Sequence, residues 1–176
     1  MQDILIVYDS KTGNTEKVAK ALAEAAGERA LLCRCSEAPA ADAFSVVFAG
    51  YWVDRGMPNA NMQKYLPTLK NKKVVLFQTL GAEPKSEHAM ASVANAGKLL
   101  DASNNVLGVL SFRGAIDPQL IAMMRKMPAG SPHAPSPEAE ARWAAAASHP
   151  DAQDLQEARD YMTNFLDMFE RFYTNM

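Results

Sequence analysis

Residues 4–15 of the chain read ILIVYDSKTGNT. The first five, Ile4–Tyr8, form a continuous apolar run, which is typical of a strand covered on both faces in a parallel sheet. Residues 9–15 then bring together three hydroxyls, an amide and a glycine. A helical pattern follows over residues 16–26, with Val18 and Leu22 four positions apart. This order predicts a polar loop between a buried strand and the N-terminus of a helix.

Further apolar runs predict the other strands of a sheet, at residues 30–35, 46–50, 74–79 and 106–112. Helical spacing predicts helices at residues 16–26, 61–69, 87–100, 117–126, 137–148 and 151–173. Thr15 and Ser86 are the predicted N-caps of the first and third helices, and Gly27 is the predicted stop of the first. Residues 36–43 carry no convincing helix and predict a shortened crossover.

Strands that alternate with helices indicate an α/β fold, a doubly wound parallel sheet of five strands with helices on both faces. Ligands of such sheets bind at the carboxyl ends of the strands, so the residues after each strand are the informative ones. Prolines cluster in residues 127–137, and we predict an irregular and helical insertion at 127–150 before the final helix. Residues 1–176 are thus predicted to form one domain with an extra C-terminal helical segment.

The composition agrees with this prediction and excludes several classes of protein. The chain has 176 residues, 48% apolar and 22% charged, which is enough for one sizeable core. Its 18 basic and 20 acidic residues leave a net charge of −2, which argues against nucleic acid or an anionic membrane as a partner. The first apolar run is too short for a membrane span and lacks the flanks of a signal peptide, so we predict a cytoplasmic protein.

Metal-binding and catalytic motifs are not evident in the sequence, which does not indicate an oligomeric state either. Cys33 and Cys35 form C-x-C without a second cluster, and we predict free thiols. The three histidines lack the spacing of metal ligands. We therefore predict no metal site and assign no catalytic residue.

Three loops that follow predicted strands carry the candidate binding residues. The first is a cradle for a phosphate, because backbone N–H groups and the helix dipole favour an anion there. The second has two adjacent aromatic residues on which a flat ligand can stack, and the third has small residues that allow close backbone approach. The candidates are Ser10, Lys11, Thr12, Gly13, Asn14 and Thr15 in the first loop, Tyr51, Trp52, Val53, Arg55 and Gly56 in the second, and Thr79, Leu80, Gly81 and Ala82 in the third.

Together the three loops predict a site for a phosphorylated planar heterocycle. The first loop is neither a Walker A motif nor a G-x-G-x-x-G dinucleotide fingerprint. Taken singly, the residues leave open that the first loop is an ordinary capped turn and that Trp52 packs beneath its own loop.

Residues 10–15, SKTGNT, resemble the FMN-phosphate loop of flavodoxins, S/T-x-T-G-N-T, in the required strand–loop–helix context. The pair Tyr51 and Trp52 resembles the flavodoxin loop that stacks on the isoalloxazine ring. This resemblance covers residues 3–113 and the final helix. It implies strand order 2-1-3-4-5, non-covalent FMN and one-electron transfer between redox partners.

A similarity that spans more of the chain is to the BilS-type flavodoxin subfamily of bacteria. The residues that carry it are 50–56, 79–82, 114–118 and 132–134. It implies an FMN-binding electron donor to a larger partner reductase of the bilirubin-reductase type. The chain departs from ordinary flavodoxins in two ways. The third loop has no aromatic residue, so Leu80 is expected to supply the apolar face. The chain is also nearly neutral, whereas ordinary flavodoxins are strongly acidic.

The resemblance also implies roles for single residues. Trp52 is expected to stack on the ring, with Tyr51 and Gly56 beside it. Arg55 departs from ordinary flavodoxins, which place acidic groups there: a cation near the ring would favour the negatively charged reduced flavin. Other candidates near the ring are Arg113 and His88. The phosphate is assigned to backbone N–H groups of residues 11–15 and to the side chains of Ser10, Thr12, Asn14 and Thr15, with Lys11 as a possible additional charge.

Other functions compete with that of an electron carrier. An NAD(P)H-dependent FMN or quinone reductase would not need a recognisable nicotinamide motif. A phospho-acceptor receiver domain shares the strand order, but Gly50 stands where the acceptor Asp is needed and Arg113 where a Lys is needed. A flavin-free binding protein is the remaining alternative. We predict an electron carrier rather than a stand-alone oxidoreductase.

Overall fold

The computed structural model describes residues 2–173. The strands are β1 (Ile4–Tyr8), β2 (Ala30–Arg34), β3 (Val46–Asp54), β4 (Met57–Pro58), β5 (Lys73–Leu80) and β6 (Asn105–Arg113). The helices are α1 (Asn14–Ala26), α2 (Ala60–Tyr65), α3 (Glu87–Leu99), α4 (Pro118–Met124), α5 (Pro137–Ala146) and α6 (Ala152–Tyr173). None of the helices in this part of the chain is both long and apolar enough to cross a membrane.

Five strands form a parallel sheet in the order β2-β1-β3-β5-β6, and the two-residue β4 pairs antiparallel with β3. The predicted order 2-1-3-4-5 is confirmed once β4 is left out of the numbering. The link between β2 and β3 is short, as expected, and consists of two single 3₁₀ turns, Cys35–Glu37 and Ala41–Ala43.

Helices cover both faces of the sheet, and side chains along each strand alternate between them. Helices α1 and α6 cover one face, where Phe48 and Phe77 pack with Phe165 of α6. Helices α2 and α3 cover the other, where Tyr51 packs in a cluster with Met62. We call these the α1 face and the α3 face. Both faces are buried, which explains the nearly continuous apolar runs.

The third strand is four residues longer than predicted, because its pairing continues past Gly50. Trp52 lies opposite Thr79 of β5, and Asp54 then pairs with Met57 of β4. Arg55 and Gly56 form the two-residue turn between β3 and β4, with φ angles of 51° and 78°. Tyr51, Trp52 and Val53 therefore lie in the strand itself, and the expectation that they lie in a loop after it was wrong.

The predicted helix boundaries need three corrections. Gly13, with φ 95°, is the N-cap of α1, and Thr15 lies buried inside that helix. The predicted helix 61–69 ends at Tyr65 and continues as a 3₁₀ turn, because Pro67 has no N–H for a helical hydrogen bond. The insertion helices α4 and α5 are also each shorter than predicted. The other caps are as expected, since Gly27 ends α1 and the Ser86 hydroxyl accepts a hydrogen bond from Ala89 N.

The segment that connects β6 to α6 contains α4 and α5; it begins earlier than the predicted insertion at 127–150, and we call all of it the insertion. Its two helices pack on each other through Met124, Ala139 and Trp143. The two ends of the insertion meet, because Ala115 N donates to His149 O at 2.8 Å. The chain has 10 methionines, and of the two at residues 123 and 124, Met124 is buried in this cluster, whereas Met123 is 55% exposed.

Loss of the carboxylate at the start of β1 should weaken the fold in a pH-dependent way. Both carboxylate oxygens of Asp3 accept hydrogen bonds from Arg29, at 3.1 and 2.7 Å, and this hydrogen bonding lowers the pKa of Asp3. A lowered pKa stabilises the fold above the ordinary value of 3.8 and loses that effect as the pH falls through the lowered value. We expect Asp3→Asn to cost up to about 1 kcal/mol at pH 7 and less near pH 3.

Urea denaturation at the two pH values measures this difference. Glu24→Gln is the control, because Glu24 pairs with Arg159 but is 60% exposed, and its loss should change stability by less than about 0.5 kcal/mol. A loss for Asp3→Asn that does not shrink at low pH would contradict the assignment.

Candidate functional site

Helix α1 begins just after the carboxyl end of β1, and the backbone N–H groups of its first turn are free to donate hydrogen bonds. The first hydrogen bond within the helix runs from Lys17 N to Gly13 O at 3.0 Å, so the N–H groups of residues 14–16 have no acceptor inside the helix. No side chain caps this end. The preceding loop is held by a hydrogen bond from Gly13 N to the Ser10 hydroxyl at 3.1 Å. Free N–H groups and the helix dipole make this end suited to an anion.

Two polar side chains of the loop are engaged within the protein. Asn14 Nδ2 donates to Ala115 O at 2.8 Å, and the Thr15 and Thr79 hydroxyls lie 2.9 Å apart, buried. Both are predicted phosphate ligands, and in this structure their side chains connect the loop to Ala115 and to Thr79. The Ser10 and Thr12 hydroxyls accept hydrogen bonds from Gly13 N and Asn14 Nδ2, and their O–H groups, like the backbone N–H groups of residues 14–16, can still donate to an anion.

Trp52 lies beside this loop, near the end of β3. Alternation along the strand from Phe48 directs it to the α1 face, and Lys11 Nζ lies 6.0 Å from the centroid of its ring. The ring is partly exposed, while its Nε1 is buried and has no hydrogen-bond partner among residues 2–173. Trp52 is therefore positioned to offer an aromatic surface next to an anion site.

Tyr51 and Val53 point to the opposite face of the sheet. Tyr51 is fully buried in the cluster on the α3 face, and burial raises the pKa of its hydroxyl. Tyr51 is thus a core residue in this structure, and its side chain does not reach the surface on which Trp52 lies.

The turn between β3 and β4 is anchored to α3. Gly56 O accepts a hydrogen bond from Asn95 Nδ2 at 2.9 Å, and a Cβ at Gly56 would lie 3.8 Å from a ring carbon of His88. Gly56 thus serves the left-handed turn. Arg55 is exposed and forms no ion pair with any residue of the described chain.

The loop after β5 is covered by the segment of residues 114–117, which we call the post-β6 segment. Gly114 N donates to Leu80 O at 2.8 Å, and a Cβ at Gly81 would lie 2.5 Å from Ile116 Cγ1. Leu80 is the last residue of β5 and is 5% exposed. Thr79 is also buried, whereas Gly81 and Ala82 are partly exposed. The post-β6 segment therefore forms part of the site's surroundings.

Arg113 and His88, the further candidates, both lie toward α3. The guanidinium of Arg113 pairs with Glu83 at 2.5 Å, and its Nε is buried without a partner within residues 2–173. His88 is an exposed residue in the first turn of α3. We call residues 10–15 the phosphate loop. Neither Arg113 nor His88 contacts Trp52 or this loop in the hydrogen bonds and ion pairs of this structure.

Three contacts near the candidate site were not predicted from the sequence. Lys11 Nζ pairs with Asp117 Oδ2 at 3.3 Å, and the Asp9 carboxylate accepts hydrogen bonds from Asn59 and Asn61. Asp117 is the N-cap of α4, and its pKa is lowered by hydrogen bonds from backbone N–H groups and by Lys11. The dipeptide Asp117-Pro118 is a capping signal, but nothing in the sequence indicates that it lies beside Lys11.

Comparison with known proteins agrees with this arrangement. A family model for the flavodoxin domain matches residues 5–163. The flavodoxin-like domain-containing protein BilS of Clostridioides difficile (strain CD3) is 29% identical over 167 residues, which cover 92% of this chain and 95% of BilS.

Solved structures share the fold at lower identity. The oxidised flavodoxin 2 of Bacillus cereus is 16% identical, with a TM-score of 0.60 over 95% of this chain and 99% of that one. The flavodoxin, WrbA-like protein of Agrobacterium tumefaciens is 16% identical, with a TM-score of 0.58 over 97% and 99%. A flavoprotein of Lactobacillus acidophilus in complex with FMN is 18% identical, with a TM-score of 0.52 over 63% and 93%. With the family model matching most of its length, the chain belongs to the flavodoxin family.

Proposed function

We propose that this chain binds FMN non-covalently and carries electrons between redox proteins. The observation that supports the proposal best is an N-terminus of α1 that no side chain of the described residues caps, preceded by a loop whose Lys11 Nζ lies 6.0 Å from the centroid of the Trp52 ring. An anion site next to a partly exposed aromatic ring suits a ligand with a phosphate at one end and a flat ring system at the other. Membership of the flavodoxin family supports FMN as that ligand.

Different residues bind the phosphate and the ring in this proposal. Backbone N–H groups of residues 14–16, with the hydroxyls of Ser10 and Thr12, bind the phosphate, and Trp52 stacks on the ring. The partly exposed residues Gly81 and Ala82 lie in the loop after β5, where small side chains allow a ligand to approach the backbone. Bound FMN supplies the redox chemistry, and the protein orients it and sets the charge around it.

The partner in this proposal is a larger reductase. Because the net charge is only −2, we expect docking to depend less on electrostatic attraction than in strongly acidic flavodoxins. The similarity to BilS supports a partner of the bilirubin-reductase type. We also propose that residues 1–176 form one domain and that the protein acts in the cytoplasm.

An absorption spectrum of the purified protein, followed by identification of the flavin released on denaturation, tests the proposal. We expect a yellow protein that releases FMN. A colourless protein that takes up no added FMN would refute it. Rapid mixing with NADH and with NADPH then distinguishes the carrier from an NAD(P)H-dependent reductase, because fast bleaching by either nucleotide would contradict a pure carrier.

Loss of the aromatic ring at Trp52 should weaken FMN binding. Aromatic stacking contributes about 1 kcal/mol beyond the burial of area, so we expect Trp52→Leu to raise the FMN dissociation constant about fivefold. Quenching of flavin fluorescence on binding measures it. Tyr51→Phe is the matched control, since it alters the neighbouring residue on the opposite face and keeps its ring in the core. Equal losses in the two variants would contradict the assignment of Trp52.

A further inference from the structure

Lys11 is the one residue of SKTGNT whose side chain is held between two other parts of the site. Its Nζ lies 6.0 Å from the centroid of the Trp52 ring and 3.3 Å from Asp117 Oδ2. The phosphate loop, the end of β3 and the post-β6 segment thus meet at this ammonium group. The contacts direct the charge of Lys11 toward the aromatic surface.

The carboxylate that pairs with Lys11 is itself fixed. Asp117 Oδ1 accepts a hydrogen bond from Gln119 N at 2.9 Å as the N-cap of α4, which leaves Oδ2 for the ammonium group. The side chain of Asp117 is 18% exposed, whereas that of Lys11 is 62% exposed. The anchored partner therefore restricts a side chain that would otherwise move freely in water.

Arg55 was the other cation expected to lie near the bound ring. Arg55 is at the tip of the β3–β4 turn, which Asn95 anchors to α3 through Gly56. Trp52 and Lys11 lie toward the α1 face. Arg55 stays a predicted neighbour of the ring, but it forms no ion pair or cation–π contact with Trp52 in this structure, whereas Lys11 Nζ lies 6.0 Å from the centroid of the Trp52 ring.

We propose that Lys11, positioned by Asp117 beside Trp52, is the cation that raises the reduction potential of the ring bound there. The proposal rests on the proposed function. A positive charge near a ring stabilises the negative charge that arrives with an electron, and its effect falls with distance and solvent screening. Lys11 then acts on the ring through its charge and is not primarily a phosphate ligand.

Redox titration of FMN complexes tests the proposal. We expect Lys11→Met to shift the one-electron potentials to more negative values, by up to about tenfold in the equilibrium constant, which is about 59 mV. Lys20→Met is the matched control, because it removes the same side chain from an ion pair with Glu16 farther along α1. Arg55→Met tests the rival cation. Lys20→Met and Arg55→Met should each leave the potentials unchanged. If either variant shifts the potentials as much as Lys11→Met does, the proposal is overturned.

Affinities for FMN and for riboflavin, which lacks the phosphate, separate the two possible roles of Lys11. If Lys11→Met weakens FMN but not riboflavin and leaves the potentials unchanged, Lys11 is a phosphate ligand and the proposal is wrong. The positioning role of Asp117 predicts non-additivity: Lys11→Met should shift the potentials less in an Asp117→Asn background. Additive shifts would overturn that part. A wild-type chain that binds no flavin refutes the proposed function instead.

Discussion

Gly50→Val is expected to destabilise the fold by more than about 3 kcal/mol, because the centre of the sheet has no room for a side chain there. A Cβ at Gly50 would lie 2.0 Å from Phe77 Cζ. Phe77 is its paired residue on β5 and is fully buried in the core, so its ring cannot yield without moving its neighbours. Overpacking typically costs about 1–3 kcal/mol, and a rigid neighbour places this site at or above the upper end. Thermal and urea denaturation measure the loss.

Gly97→Ala is the control for this prediction. Gly97 lies exposed on α3, and a Cβ there would meet nothing within 4 Å. Alanine lowers the entropy of the unfolded chain and favours the helix, so we expect a gain of about 0.5–1 kcal/mol. If Gly50→Val instead unfolds within about 0.5 kcal/mol of the wild type, the close packing of Gly50 on Phe77 is wrong.

Gly13→Ala should reduce FMN affinity about tenfold or more and also lower stability. Gly13 caps α1 with φ 95°, a conformation that costs an alanine about 1–2 kcal/mol. A shift of this residue toward negative φ redirects the backbone N–H groups of the first turn. Those groups are the proposed phosphate donors, so binding should suffer in addition to folding. Fluorescence titration with FMN and thermal denaturation measure the two effects separately.

Gly27→Ala provides the comparison, since Gly27 ends the same helix with φ 58° and also has open space around a Cβ. With ψ −137°, its backbone is in a region that disfavours alanine at least as strongly, so stability should fall at least as much while FMN affinity stays unchanged. Equal losses of affinity in both variants would show that general destabilisation, rather than the geometry of the loop, weakens binding.

The sequence predicted the sheet well because each central strand is apolar on both faces. Ile4–Tyr8 was predicted with its correct bounds, and the polar loop after it was placed correctly ahead of α1. The fold followed from these local patterns, and the family from the resemblance of residues 10–15 to the flavodoxin phosphate loop. Such patterns are readable because hydrophobic burial and helix capping act between near neighbours.

Contacts between distant parts of the chain could not be predicted in this way. The aromatic pair was expected to act together, but alternation along β3 sends Tyr51 into the core and Trp52 toward the phosphate loop. The pair formed by Lys11 and Asp117 spans more than a hundred residues and depends on the path of the chain after β6. Charge and spacing alone do not specify such a partner.

The hydrogen bond between Ala115 and His149 has a consequence for how this fold can vary. Because these two residues are neighbours in space, the insertion between them is a loop whose two ends are held together, and we call it the branch. Loop-closure entropy grows only slowly with length, so residues can be added to or removed from the branch at little cost to the sheet or to α6. Only its first few residues, which lie against the phosphate loop, are constrained by the cofactor site. The outer part of the branch is thus free to diverge with the shape of a partner.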